Sequence, residues 1–391
     1  MGAQQSMRRI AVVLVGLSVS TMAFSAGANA EEKQAERAEA QTGVEEPMFS
    51  ASLIGTFQGA SDSRIDNEAA LRPEVFVTLP VDALSGEIHA HIEATTTPRT
   101  NGVTSFLGNS NTNVGTATDG SGHGRLQLSE LYYEFEGSAF TVDVGLLDTT
   151  AFLDTSAFAN DERTQFMNWS LVHNTTIEFP DYTLGAAFST TGEGAMPGVV
   201  VVLGASSGLG DNASHTYPDL FDVRSSGKGV FAGAELGWAL ASLGDEGAAR
   251  IGVWTNTADH AYLSAAPGAT TNKGVYGVLE GAALGTGWSL RAGKADSDVS
   301  AADWFVGGAL QRQLADRLTT GLGVTRTSVS GKLGAGFADT TEAELYVKYD
   351  VMEHVALTPS LQWVKNPGFD NTGAVVDADN WVFGLRVALE M

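Results

Sequence analysis

Apolar and polar side chains alternate with a period of two along much of this chain, most plainly from Glu344 to the C-terminus. Leu345, Val347 and Tyr349 fall on one face, and Glu344, Tyr346 and Lys348 on the other. Val355, Leu357, Pro359, Leu361 and Trp363 then oppose His354, Ala356, Thr358, Ser360 and Gln362. Finally Trp381, Phe383, Leu385, Val387, Leu389 and Met391 oppose Val382, Gly384, Arg386, Ala388 and Glu390. Alternation sustained over roughly 10 residues, with aromatics at the strand ends, predicts strands that cross a membrane in a closed barrel. A soluble antiparallel sheet with one wet face alternates too. The barrel is preferred because the chain stops on such a strand and opens on an export signal.

Short connections fall at Val81–Ser85, Gly137–Ser138, Pro180–Asp181, Ala241–Gly247, Gly285–Thr286, Ala315–Asp316 and Val351–Met352. Each is flanked by alternating runs. With an opening strand Phe49–Gly59 and a closing strand Trp381–Leu389, these hairpins predict an all-β fold, a transmembrane antiparallel β-barrel of about 16 strands. The long connections are then Ala60–Ala70, Pro98–Gly124, Asp148–Trp169, Thr191–Gly227, Ala258–Lys273, Ala295–Ala301, Val329–Thr340 and Pro367–Asp379. They are rich in Gly, Ser, Thr, Asn and Asp, as exposed loops are.

The N-terminus supplies the compartment. Arg8 and Arg9 precede the apolar run Ile10 to Val19, and Ala28, Asn29 and Ala30 make a small-x-small cleavage site. We expect a cleaved signal peptide over 1–30, an uncommitted segment over 31–47 and the barrel over 48–391. No later run has the ~20 apolar residues of a transmembrane helix, and a closed barrel satisfies strand backbones in lipid. The expected location is the bacterial outer membrane, with lipid around the wall. Without cysteine, thiol chemistry and thiolate metal sites are excluded. After loss of 1–30 the formal charge is −26. That balance argues against nucleic acid as a partner and for cations or neutral solutes over anions.

Two stretches carry a family resemblance. Pro359, Gln362, Trp363, Asn366, Pro367 and Gly368, followed by Gly384, Leu385 and Arg386, resemble the end of carbohydrate-selective porins of the OprB type. Glu130 to Glu134, then Val144, Gly145, Asp148, Phe152, Asp154, Phe166 and Asn168, form the second match. The resemblance implies passive diffusion of sugars or other small hydrophilic solutes, and a homotrimer. Such proteins normally end in an aromatic residue, and this chain ends in Met391.

The third loop, Asp148–Trp169, is the expected constriction. Asp148, Asp154 and Arg163 offer hydrogen bonds to sugar hydroxyls, and Phe152, Phe166 and Trp169 offer flat apolar surface. Each aromatic could equally pin the loop to the wall. Strand phase places Glu87, Glu93, Glu130, Glu134, Glu235, Glu342, Glu344, Arg291 and Arg386 on the lumen face, where a mixed ring of charge sets selectivity.

Other chemistry weighs less. Gly204, Gly208 and Gly210 after Val199–Leu203 mimic a nucleotide-binding turn, but the helix such a turn needs is replaced by a polar stretch ending at Pro218. An apolar strip within the fourth loop is expected instead. His89 and His91 alternate with Ile88, Ala90 and Ile92 beside Glu87 and Glu93, and could hold a metal; a polar lumen face is the preferred reading. No metal, cofactor or catalytic residue is assigned. The functional alternatives are a general, cation-leaning porin and an outer-membrane barrel hydrolase using His89 and His91.

Overall fold

The computed structural model describes residues 47–192, 196–212, 214–244, 246–334, 337–367 and 379–391. The expected signal peptide, the segment up to Glu46 and most of the last long loop lie outside the described residues. Sixteen antiparallel strands close into one barrel, each paired with its chain neighbours, and the first pairs with the last. They are β1 (Met48–Ala60), β2 (Glu68–Val81), β3 (Gly86–Ala94) and β4 (Leu126–Glu136). Next come β5 (Phe140–Leu147), β6 (Thr183–Thr190), β7 (Gly198–Ala205) and β8 (Val230–Ala239). The second half holds β9 (Ala248–Ala261), β10 (Ala269–Ala283), β11 (Thr286–Ala295) and β12 (Ala302–Ala315). The last four are β13 (Leu318–Val329), β14 (Thr340–Met352), β15 (Val355–Lys365) and β16 (Asp379–Glu390). Closure leaves no sheet edge, and Ser52 on β1 faces Glu390 on β16 in the final seam.

The alternation sorts the two faces. Phe57, Leu71, Leu345, Trp381 and Phe383 are exposed on the outside, while Arg72, Glu344, Tyr346 and Arg386 are buried inside. Outward charges such as Lys273, Lys294 and Arg326 sit on strand ends beside the long loops, as a lipid-facing wall requires. Among the described residues no helix is long and apolar enough to cross a membrane.

Two of the sequence assignments are corrected, and their effects on the strand count cancel. The stretch before Pro180 forms no strand: residues 148–182 make a single loop, hereafter loop 3, containing the short helix Trp169–Val172. Conversely, Val199–Leu203 belongs to strand β7, not to an apolar strip in a loop, and β7 begins at Gly198, soon after β6 ends at Thr190. The reason is packing. Val200 and Val202 face inward against Leu147, Leu153 and Phe231, so β7 is apolar on both faces and its alternation disappears. The fourth loop is correspondingly shorter, spanning 206–229.

Candidate functional site

Loop 3 and loop 2 (residues 95–125) both turn inward and fill much of the lumen. Loop 3 is seated first by shape. The lumen-facing glycines Gly233, Gly287 and Gly323 lie directly beneath Leu153, Phe158 and Leu171, where any Cβ would collide. It is then held by charge. Glu344 accepts from the backbone N–H groups of Met167 at 3.1 Å and Asn168 at 2.9 Å. Glu280 accepts from Ser156 Oγ at 2.8 Å and from the Ala157 N–H at 2.9 Å. Arg386 donates to the carbonyls of Glu162 (2.7 Å) and Gln165 (3.0 Å), and Arg291 to those of Leu171 (3.1 Å) and Asp154 (2.7 Å). Inside a barrel these backbone groups have no ladder of their own, so wall side chains satisfy them.

Loop 2 is tied in the same way. Gln58 and Gln362 both donate to the Ser110 carbonyl, at 3.0 and 2.8 Å. Asn111 bonds Thr56 and Gln58, and Asn113 donates to the Glu162 carbonyl at 3.0 Å, which joins the two loops. The sequence reading had no place for loop 2 in the lumen. Its one signal is Asn109, Asn111 and Asn113, an alternating amide run with no apolar partner.

Two of the cavities that the loops leave lie end to end against Trp169. The larger, about 950 Å³, runs from Asn109 and Trp169 toward Glu134 and Glu246 near the short turns. The second, about 520 Å³, lies on the long-loop side among Phe106, Trp169, Glu178, His260 and Asn272. Gly108 and Asn109 of loop 2 and Trp169 of loop 3 line both cavities and so stand where the two meet. The Trp169 ring is backed by His173 at a centroid distance of 4.1 Å. Burial pushes the His173 imidazole down to about 3, with Arg291 adding to the effect, so that ring is neutral.

The residues expected at the constriction divide. Asp148, Phe152, Arg163 and Trp169 line the larger cavity. Asp154 and Phe166 do not. Asp154 is fully buried, accepting from the Asn174 N–H at 2.9 Å and facing Arg291 Nε at 3.5 Å. Phe166 is equally buried and meets Tyr346 edge-on at 5.0 Å. Both are anchors of loop 3, because a loop inserted in a lumen needs an apolar foot and a paired charge to stay there.

The wall charges divide as well. All nine face inward, but Glu93, Glu235, Glu342, Glu344, Arg291 and Arg386 are buried, each with inward hydrogen-bond partners. Glu130 and Glu134 line the larger cavity, and Glu87 keeps a side chain 30% exposed. A bulge in β4 turns Ser129 and Glu130 inward together; Ser129 donates to Glu93 at 2.6 Å and Glu130 lies 3.3 Å from His91. The sequence reading missed Arg72, which lines the cavity and bridges Glu74 (2.8 Å), Glu93 (3.1 Å) and Glu162 (2.8 Å). Strand phase was enough to find it, since Leu71, Pro73 and Val75 oppose Arg72 and Glu74.

The larger cavity thus carries paired acids and arginines, aromatic faces and amides, and loop 3 supplies Asp148 at its edge. Burial pushes the Asp148 carboxyl up to about 6, with Glu130 nearby acting in the same direction. Such a surface presents both hydrogen-bond donors and acceptors to the cavity.

Similar proteins agree with this architecture. The OprB of Pseudomonas putida, in a high-pH structure, superposes with a TM-score of 0.62 at 18% identity, over 92% of this chain and 97% of that one. An in-vitro folded OmpT of Vibrio cholerae in a trimer form gives 0.53 at 14% identity, over 88% and 99%. A mutant of Rh. blastica porin gives 0.52 at 12%, over 88% and 100%. At these identities the likeness is one of fold. An uncharacterized protein of Aquifex aeolicus (strain VF5) is 44% identical over 62 residues, 16% of this chain and only 20% of that relative's length. Residues 86–391 match the family model described as carbohydrate-selective porin, OprB family. The chain belongs to the OprB family of carbohydrate-selective porins.

Proposed function

We propose that this chain is an outer-membrane channel through which neutral sugars diffuse passively, and that the passage between Trp169 and Gly108–Asn109 is where they are discriminated. The observation that carries this reading is that these residues alone of loops 2 and 3 are shared by a 950 Å³ and a 520 Å³ cavity of otherwise different lining. A sugar presents a flat apolar face and a rim of hydroxyls. Trp169 offers the face, Asn109 lines both cavities with it, and Arg163 and Asp148 offer further donors and acceptors on the wall of the larger cavity. Binding must stay weak, since a solute held tightly would block the pore. Loop 3 is held to the wall by Glu280, Glu344, Arg291 and Arg386, so the selection falls to the residues it presents to the lumen.

The same reading takes the mature chain as beginning at Glu31 after cleavage, and the barrel as a homotrimer. N-terminal sequencing of the membrane-extracted protein and cross-linking to a three-chain species test those parts. The function itself is tested with proteoliposomes containing the purified barrel. Glucose and other neutral hexoses should enter several-fold faster than polyols or amino acids of equal size. Rates set by size alone would leave the general, cation-leaning porin, a reading favoured by the acidic excess of the chain.

A further inference from the structure

His89 and His91 lie on the same inward face of β3, but their surroundings differ. His91 Nε2 stands 3.2 Å from Glu74, and Glu74 and Glu93 are already bridged by the Arg72 guanidinium. The cation position of that cluster is filled. Around His89, Nε2 stands 3.4 Å from Glu87 Oε2 and 3.9 Å from Glu134 Oε2. The ligand atoms of Glu87, His89 and Glu134 all lie within 4.8 Å of one another.

Register makes this second group unusual. Glu87 on β3 is directly opposite Glu134 on β4, and Glu134 is directly opposite Asp143 on β5. Three carboxylates therefore stand in a row across three neighbouring strands, all facing the lumen near the short turns. Like charges directly opposite each other destabilise a sheet unless something between them is positive. Neither Glu134 nor Asp143 forms an ion pair with an arginine or lysine among the described residues. Asp143 is 1% exposed, and its Oδ2 has no hydrogen-bond partner. A buried carboxylate oxygen left without a partner beside two more carboxylates is a costly arrangement.

We propose that Glu87, His89 and Glu134 ligate a divalent transition-metal ion, with Asp143 behind Glu134 as the outer carboxylate. The imidazole is set for it. Thr78 Oγ1 lies 3.1 Å from Nδ1 and can accept its proton, which leaves the Nε2 lone pair pointing at the two glutamates. Tyr132 stacks on the ring at 4.9 Å and fixes its plane. Ligands about 2.0–2.2 Å from a tetrahedral zinc ion stand roughly 3.4 Å apart, so the observed spacings need only small side-chain rotations. One imidazole with carboxylates suits zinc, cobalt or manganese better than alkali ions. The three ligand side chains are 21 to 30% exposed, so water and ions reach them from the lumen. A bound ion would place positive charge beside the otherwise acidic inner mouth of the channel. The site does not depend on which solute the channel carries.

The test is isothermal titration of Zn²⁺ into tag-free, detergent-extracted barrel first stripped with a chelator. Co²⁺ is titrated in parallel and followed by its visible absorption. The expected result is one saturable site per barrel, weakened at least tenfold by H89A and by E134Q, and changed less than twofold by H91A. A gel shift on boiling establishes that each variant is folded, and E134Q serves if H89A does not assemble. Absence of zinc binding by the wild-type barrel would overturn the proposal. Binding that survives both H89A and E134Q would overturn it equally.

Discussion

Arg386 on β16 donates from Nη1 to the carbonyl oxygen of Glu162 at 2.7 Å, so the last strand holds the loop that narrows the lumen. Its second Nη donates to the Gln165 carbonyl at 3.0 Å, and Glu344 on β14 grips the same loop two and three residues on, at Met167 and Asn168. Charge-assisted bonds of this kind are worth about 1.5–3 kcal/mol each, and removal of one partner strands the other in a buried site. Arg386→Met should therefore lower the unfolding midpoint and release that side of loop 3. Single-channel conductance should rise, about twofold or more. Unchanged conductance in a folded Arg386→Met barrel would show that loop 3 is held without it.

The glycine seats make a related prediction from shape. Phe158 lies over Gly287, where no Cβ fits. Overpacking such a contact costs about 1–3 kcal/mol unless the loop moves away. Gly287→Val should raise ion conductance while leaving the strand content, read by circular dichroism, as it was. Gly285→Val, at a turn glycine with positive φ and open space around it, should reduce assembly instead.

The raised Asp148 carboxyl predicts a pH response of the channel. Its folded value of about 6 lies above the ordinary 3.8, through burial first and Glu130 second. A raised carboxyl contributes stability that is complete below its unfolded value and is lost as pH rises from about 4 through about 6. Above that window the group is charged and lines the cavity. Cation over anion permeability should rise between pH 5 and 7, and Asp148→Asn should flatten that step. A reversal-potential titration checks it. An equal step in Asp148→Asn would assign the response to other groups.

The sequence carried the fold further than it carried the site, and the reason is visible in particular residues. Strand phase depends only on which side of the wall a side chain meets, and Trp381, Phe383 and Arg386 show it without help. It fails at β7, where Val200 and Val202 meet Leu153 of the inserted loop and the inner face turns apolar. It also cannot say what an inward charge touches. Glu344 and Glu134 look alike along the chain, yet one caps the backbone of loop 3 and the other lines the open cavity. That difference is set by how loops 2 and 3 lie, through contacts such as Asn113 to the Glu162 carbonyl, which link positions far apart in sequence.

Trp169 bears most of the functional claim. It is the aromatic residue that both cavities share, and its plane is fixed from behind by His173. A dissociation constant on the order of millimolar needs only ~4 kcal/mol, within reach of one stacked ring and a few hydrogen bonds. The direct measurement is single-channel recording of wild type and Trp169→Ala with glucose, maltose and a size-matched amino acid. The wild-type current should fall saturably with either sugar and only slightly with the amino acid, and Trp169→Ala should weaken the sugar block about tenfold while raising the open current. Equal, non-saturable effects from every solute, or a sugar block untouched by Trp169→Ala, would contradict the account.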